Sequence, residues 1–282
     1  MERRKGSMEA GNVKKVVREG YGAIAGKGGS CCGPAEPCCC GASKADEISS
    51  QIGYSMEELK TVPEGANLGL GCGNPVALAS LREGETVVDL GSGPGLDCFL
   101  AANAVGETGK VIGVDMTHEM LEKARENARK GGYVNVEFRL GEIENLPIAD
   151  ATADAIISNC VINLSPDKWR VFKEAFRVLK PGGRLMVSDI VLEGELPQQV
   201  RESAAAYVGC VSGALLKDDY FRLIAEAGFE DIEVESAEYP LKMMFDDDTA
   251  QATMADLELS PDEMERIERL VISAKVKAVK PL

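Results

Sequence analysis

The stretch VVDLGSGPGLD, Val87 to Asp97, decides the fold. It places a G-x-G-x-G loop between an apolar strand and the helical run DCFLAANAVG, and Asp115 ends the following strand, 20 residues after Gly95. A carboxylate at that place accepts hydrogen bonds from ribose hydroxyls. The third glycine comes one residue earlier than in the dinucleotide pattern, and Asp89 precedes the loop. This variant favours a nucleoside that lacks phosphates and carries a cationic amino-acid tail.

Outward from this loop, strands alternate with helices. Apolar runs that predict strands are TVVDL, KVIGVDM, VEFRLGE, ADAIISNC and RLMVSDIV, and amphipathic runs that predict helices include THEMLEKARENARKGG, SPDKWRVFKEAFRVLKPGG and KDDYFRLIAEAGF. The segment ERIERLVISAKVKAV predicts a helix followed by a strand, and Asn12 to Ala25 predicts an N-terminal helix. We therefore expect an α/β fold of the Rossmann-like kind, with a doubly wound, mostly parallel, seven-stranded sheet and N- and C-terminal extensions.

Composition limits the function classes. The 282 residues carry 46 acidic and 31 basic side chains, a formal net charge of −15, which disfavours a nucleic-acid partner. No apolar run is long enough to span a membrane and the N-terminus lacks an apolar signal core, so we expect a cytoplasmic monomer. Nine cysteines stand against one histidine, so the chemistry depends on thiols, carboxylates or a cofactor. We predict an N-terminal helix and cysteine-rich arm over 1–68, a cofactor-binding domain over 69–238 and a C-terminal extension over 239–282 that completes or covers the sheet.

The motifs VVDLGSGPGLD, GVDMT, GEIENLP and RVLKPGGRLMVSDI resemble, in order and spacing, those of class I S-adenosylmethionine-dependent methyltransferases. The resemblance covers roughly residues 85–235 and implies S-adenosyl-L-methionine as cofactor. For Met116 and Ile143, ordinary core packing is an equally good interpretation. The residues that the resemblance assigns to cofactor binding are Asp89, Gly91, Ser92, Gly93, Asp97, Asp115, Met116, Gly141, Glu142, Ile143 and Asn159.

Three thiols lie in places where a buried structural role is a weak explanation. Cys160 follows the fourth strand, next to Asn159, where ligands bind in open α/β sheets. Cys72 and Cys210 have glycine neighbours that bury little. Cys98, by contrast, lies inside the first helix of the sheet domain and is assigned to the core.

The contexts GCGNP, SNCVINL and GCVSGAL are similar to those of the arsenite methyltransferases. This resemblance implies that Cys160, Cys210 and Cys72 bind As(III), with Cys31 or Cys32 relaying or completing the site. It implies arsenite or its thiol conjugates as substrate, direct displacement of the methyl group by thiolate-bound As(III), and an external reductant such as thioredoxin or a glutathione-like thiol. The triplet Cys38 to Cys40 is not explained by it.

Two other functions remain open at this stage. A quinone- or sterol-type C-methyltransferase shares the RVLKPGG and LP motifs but leaves the three thiols without a role. A non-enzymatic, thiol-rich metalloid- or zinc-binding protein is the other, although CC…CCC lacks the paired C-x₂-C spacing of zinc ribbons. Asp189, at the end of the fifth strand, either lines the acceptor pocket or caps the strand.

Overall fold

The structure is a computed structural model that describes residues 10–27, 43–239 and 259–282. Cys31, Cys32 and the triplet Cys38 to Cys40 therefore lie outside the described residues, and their assigned roles stay predictions. The domain boundaries also stay predictions.

The sheet has seven strands in the order β3-β2-β1-β4-β5-β7-β6. The first five run parallel, and β7 is antiparallel to both of its neighbours, β5 and β6. This confirms the predicted doubly wound, mostly parallel α/β sheet. The strands are β1 (Thr86–Leu90), β2 (Lys110–Asp115), β3 (Val136–Leu140), β4 (Ala153–Asn159), β5 (Leu179–Leu192), β6 (Glu230–Glu238) and β7 (Val271–Val279).

Helices cover both faces of the sheet and extend it at each end. They are α1 (Ala10–Lys27), α2 (Lys44–Gln51), α3 (Met56–Lys60), α4 (Pro75–Ala79), α5 (Leu96–Val105), α6 (His118–Gly131), α7 (Lys168–Val178), α8 (Gln198–Glu202), α9 (Ala204–Val208), α10 (Lys217–Glu226) and α11 (Pro261–Leu270), with a 3₁₀ turn over Ile162–Leu164. None of the helices in the described ranges is both long and apolar enough to cross a bilayer.

Three features differ from the sequence expectation or were absent from it. Helix α7 ends at Val178, two residues earlier than the Pro-Gly-Gly stop at Pro181 requires, although Pro181 already disfavours a helical conformation at Lys180. Leu179, the residue after Val178, already has an extended backbone and begins β5. Helix α2 was not predicted, although Ser43 and Asp46 form a capping box at its start. The pair α8 and α9 was also not predicted.

The sheet topology places the site. Strands β1 and β4 are neighbours in space but are followed by helices on opposite faces, so a crevice opens beyond their carboxyl ends. The loops that leave β1 and β4 begin with Gly91 and Cys160, respectively. The glycine loop and the SNC motif, 69 residues apart in sequence from Gly91 to Cys160, therefore face the same crevice.

Candidate functional site

The turn after β1 needs glycine at its first position. Gly91 has a φ of +68°, and a Cβ there would lie 2.3 Å from Val161 Cγ2. The backbone amides of Gly91 and Ser92 donate hydrogen bonds to Val114 O of β2 at 2.7 and 3.1 Å. The loop is thus pressed between β2 and the segment after β4, which leaves its outer surface open to the crevice.

We expect Gly91→Ala to destabilise the protein far more than Gly132→Ala. Gly132, at the end of α6, has a nearly equal φ of +70°, but a Cβ added there would have no atom of the described residues within 4 Å. Gly132→Ala should therefore cost only the left-handed backbone penalty of about 1–2 kcal/mol. Gly91→Ala adds an overpacking cost of about 1–3 kcal/mol from Val161. Urea unfolding of both variants measures the difference, and equal losses would contradict the steric argument.

The crevice is a cleft that is partly open to solvent. It brings together residues from β1, β2, β4 and the loops after them. Ten of the eleven residues assigned to cofactor binding line it, namely Asp89, Gly91, Ser92, Gly93, Asp97, Asp115, Met116, Gly141, Ile143 and Asn159. Glu142 is not among the lining residues. Its carboxylate accepts a 2.7 Å hydrogen bond from Lys14 Nζ, while the adjacent Glu144 lines the cleft.

Buried carboxylates give the cleft a preference for a cationic ligand. Burial raises the pKa of Asp89, Asp97 and Asp115 above the usual range, and Asp97 raises that of Asp89 further. The Asp115 carboxylate accepts hydrogen bonds from the amides of Gly93, at 2.9 Å, and Thr117, at 2.7 Å. A cation bound here would stabilise the ionised carboxylates and so offset the cost of their desolvation.

Ser92 supplies a second indication that a polar ligand belongs in the cleft. Its hydroxyl is buried and has no hydrogen-bond partner within the described ranges. Buried polar groups are normally satisfied, so an unpartnered hydroxyl in a cleft wall marks a place for a ligand's polar atom. Together with the acidic lining, this fits a nucleoside with a cationic tail.

Asn159 connects the cleft to the Cys72 loop. Its Nδ2 lies 3.1 Å from Asp97 Oδ2, 2.8 Å from Tyr54 Oη and 2.9 Å from Gly73 O, all acceptors. Its Oδ1 accepts a 3.0 Å hydrogen bond from the amide of Cys72. One side-chain amide therefore holds both a carboxylate predicted to bind the cofactor and the backbone of a thiol predicted to bind substrate.

The three thiols predicted to bind As(III) are adjacent and buried. The Sγ atoms of Cys72 and Cys160 lie within 4.8 Å of each other, and Cys210 Sγ donates a 2.8 Å hydrogen bond to Cys160 O. Of these three thiols only Cys160 also lines the cleft, so it lies between the cleft and the other two thiols. Cys98 lies apart from them, fully buried in α5, where its Sγ donates to Asp89 Oδ2 at 3.2 Å.

The environment keeps these thiols protonated in the free protein. Burial raises the pKa of Cys72 to about 12. For Cys210, contact with Cys160 and burial both raise the pKa. For Cys160, a hydrogen bond from Cys210 lowers the pKa, but contact with Cys72 and burial outweigh it, so the pKa is raised. The site is therefore a cluster of neutral thiols.

Cys160 and Cys210 share an unusual backbone conformation. Their φ values are +55° and +64°, in the left-handed region that residues other than glycine rarely adopt. Such conformations cost about 1–3 kcal/mol and are kept where the surrounding structure requires them, commonly at functional sites. The sequence pattern gave no indication that these two cysteines have a left-handed backbone.

Sequence reasoning also missed three residues of the site. Tyr54 donates a 2.6 Å hydrogen bond to Asp97 Oδ1, but it lies 43 positions away and no spacing connects the two. Helix α1 contributes Lys14 and Tyr21 to the cleft wall, and the Tyr21 hydroxyl lies 4.0 Å from Cys210 Sγ. Tyr21 lies on the apolar side of the predicted N-terminal helix. This position was the one feature of the sequence that indicated that Tyr21 is directed towards the interior.

Comparison with known proteins gives consistent results. Residues 81–228 match the methyltransferase-domain family. The chain is 44% identical over 275 residues to an arsenite methyltransferase of Halobacterium salinarum, covering 95% of this chain and 67% of that protein. It is 45% identical to an arsenite methyltransferase of Aquipseudomonas alcaligenes, over 57% of this chain and only 48% of that protein.

A solved structure agrees with these sequence matches. The crystal structure of an arsenic(III) S-adenosylmethionine methyltransferase from Chlamydomonas reinhardtii superposes with a TM-score of 0.57 at 33% identity. The match covers 86% of this chain and 75% of the other. The chain thus spans two thirds or less of the length of the two curated relatives and three quarters of the solved one.

Proposed function

This chain belongs to the arsenite methyltransferase family, and from that premise we propose that it transfers a methyl group from S-adenosylmethionine to As(III) held by Cys72, Cys160 and Cys210. One observation carries the proposal. Cys160 lines the cofactor cleft and also lies against the two other thiols. A C-methyltransferase function would leave this cluster without a role, and a purely metal-binding function would leave the acidic cleft without one.

The cofactor site fits its ligand. S-adenosylmethionine, when bound, supplies an electrophilic methyl group on a cationic sulfonium. Asp89 and Asp97 would hold its cationic end, Asp115 its ribose, and Gly141 with Ile143 the edge of its adenine. Ser92 offers a buried hydroxyl that the described residues leave unpartnered.

The thiol cluster suits arsenous acid as the substrate species. Each As–OH group exchanges for one thiol, and the thiol proton leaves with the hydroxyl as water, so three thiols release three waters and no free proton. Thiols with raised pKa values therefore bind As(III) without a general base. Soft sulfur ligands match the thiophilic metalloid.

The thiols also position the nucleophile. Three sulfur ligands would leave the arsenic lone pair at the apex of a pyramid. This pair would form the new As–C bond while the S–CH3 bond of the sulfonium breaks and neutral S-adenosylhomocysteine leaves with the S–C electron pair. No proton has to be removed from the nucleophile, so the protein contributes chiefly orientation, which supplies about 7–11 kcal/mol in favourable cases. Arsenic is formally oxidised from As(III) to As(V) in this step.

The proposal includes reduction of the As(V) product. Two neighbouring thiols give up two electrons by forming a disulfide, and an external thiol, thioredoxin or glutathione-like, restores them. The chain would act as a monomer in the reducing cytoplasm. Cys31 or Cys32 would take part in the thiol exchange.

The test is incubation of the reduced protein with arsenite and methyl-labelled S-adenosylmethionine, followed by separation of arsenic species. We expect labelled methylarsenicals that depend on both the protein and the reductant. Label found only in non-arsenical products, or no label transferred under reducing conditions, would refute the proposed function.

A further inference from the structure

Asp189 is a buried carboxylate that the proposed reaction does not use. It lies in β5, fully buried, and one of its oxygens lies within 4.8 Å of the Sγ atoms of both Cys72 and Cys160. Arsenous acid needs sulfur ligands only, so the binding of As(III) does not explain a carboxylate at this place. The sequence left open whether it lines the acceptor pocket, and the geometry places it against the thiols.

The hydrogen bonds of Asp189 orient the carboxylate without neutralising it. Oδ1 accepts from Asn163 Nδ2 at 2.8 Å and from the amide of Ile190 at 2.9 Å, and Oδ2 accepts from Tyr220 Oη at 3.0 Å. All three donors are uncharged. A carboxylate has room for about four such bonds, so one lone pair on Oδ2 remains. In the part of the chain that the structure describes, no lysine or arginine lies within ion-pair distance of it. Burial raises the pKa of Asp189 to about 7, and the hydrogen bonds and the charge of Lys168 offset this only in part.

Two thiols and a fixed carboxylate form the donor set of a divalent, thiophilic cation. Buried charges in proteins are paired, bound to metals or neutralised by a shifted pKa, and a bound divalent cation would hold the Asp189 carboxylate in its charged form. Zinc binds thiolates at about 2.3 Å and carboxylates at about 2.0–2.2 Å, so its tetrahedral ligands lie about 3.3–3.8 Å apart. The three donor atoms are already within 4.8 Å of one another, and a contraction of about 1 Å would close the site. Cys160 also lines the cleft, so a water molecule from the cleft would be able to supply the fourth ligand.

We propose that Cys72, Cys160 and Asp189 form a binding site for Zn²⁺ or Cd²⁺, and that this cation competes with As(III) for the two shared thiols. The cation enters as M²⁺, two thiol protons leave to solvent, and no electrons are transferred. As(III) also takes Cys210, whereas the divalent cation takes the Asp189 oxygen. Binding of the divalent cation therefore depends on Asp189, whereas binding of As(III) does not. The inference shares two thiols with the proposed function but does not depend on methyl transfer.

The experiment compares CdCl₂ and arsenite binding to the reduced full-length chain. Every sample carries serine in place of the five N-terminal cysteines, Cys31, Cys32 and Cys38 to Cys40. The absorption change then measures Cd²⁺ binding only at Cys72, Cys98, Cys160 and Cys210. Thiolate-to-cadmium absorption measures Cd²⁺ binding, and displacement of Cd²⁺ by arsenite measures competition. Loss of an outer-shell partner alone costs about 10- to 100-fold in metal affinity, so we expect Asp189→Asn, which changes a direct ligand, to weaken Cd²⁺ binding by at least that much. The change in As(III) affinity should be less than about threefold. Retained As(III) binding also shows that this variant is folded.

Asp218→Asn is the matched control, because it removes an exposed carboxylate from α10, the helix that carries Tyr220. It should leave both affinities unchanged. Equal weakening of Cd²⁺ and As(III) binding by Asp189→Asn, or no effect on Cd²⁺, would overturn the proposal.

A second measurement does not require a folded Asp189 variant. The ¹¹³Cd resonance of the complex with Asp189 intact is expected at the position of mixed sulfur and oxygen coordination, and a resonance typical of sulfur-only coordination would overturn the site. Absence of methylarsenical products would refute the proposed function alone, because Cd²⁺ binding is measured without cofactor.

Discussion

Cys160→Ser should abolish both As(III) binding and methyl transfer. Serine preserves the size and the left-handed backbone at φ +55°, so the substitution isolates the loss of sulfur. A hydroxyl is a hard ligand that does not replace thiolate on arsenic. Because loss of an outer-shell partner alone typically costs 10- to 100-fold in metal affinity, we expect loss of a direct ligand to weaken As(III) binding by more than about 100-fold. Quenching of intrinsic fluorescence by arsenite and the labelled-methyl assay measure the two effects.

Cys98→Ser is the control for this prediction. Cys98 is as buried as the proposed ligands but belongs to the core of α5, and serine retains a donor for the bond to Asp89 Oδ2. As(III) affinity should stay within about threefold of the unmodified protein, the size of a change below about 0.7 kcal/mol. Comparable losses in both variants would mean that the assignment of the thiols is wrong.

Asn159→Ala should weaken the binding of cofactor and substrate together. The amide donates to Asp97 and accepts from the amide of Cys72, and alanine leaves both groups without this partner. Each unsatisfied buried group costs about 1–3 kcal/mol, and every 1.4 kcal/mol is tenfold in affinity. We therefore expect affinities for S-adenosylhomocysteine and for As(III) each to fall by about 10- to 100-fold. Calorimetry with each ligand separately gives both values.

Asn135→Ala is a suitable control, because Asn135 also donates to backbone carbonyls, at Gly106 and Ala102, but lies away from the cleft. It should leave both affinities unchanged while lowering stability modestly. A fall in S-adenosylhomocysteine affinity without a fall in As(III) affinity would show that the Cys72 loop is held independently of Asn159.

Local sequence determined the chemistry of the cofactor cleft. A glycine loop directly after a strand and a carboxylate at the end of the next strand are short-range features, and parallel strands bring their carboxyl ends to one edge whatever the rest of the fold is. For this reason ten of the eleven assigned cofactor residues line the cleft. Glu142 is not among the residues that line the cleft, and its carboxylate accepts a hydrogen bond from Lys14, 128 positions away, so its role in cofactor binding stays a prediction.

The nature of the thiol site required residues that only tertiary contacts bring together. Glycine neighbours distinguished Cys72 and Cys210 from Cys98, and the place after the fourth strand distinguished Cys160. No spacing in the chain indicates that Asp189 lies beside two of these thiols or that Tyr54 and Tyr21 contribute to the site. Those contacts depend on the pairing of β1 with β4 and of β4 with β5 in the sheet, and on the packing of α1 over the crevice.

The sequence by itself therefore determined the fold, the cofactor class and which thiols are candidates, because each depends on residues within one or two adjacent elements. Tertiary structure alone decided the protonation of the thiols, the left-handed backbone of Cys160 and Cys210, and the position of Asp189. Burial, charge proximity and backbone strain are properties of the packed chain, and a local pattern does not contain them.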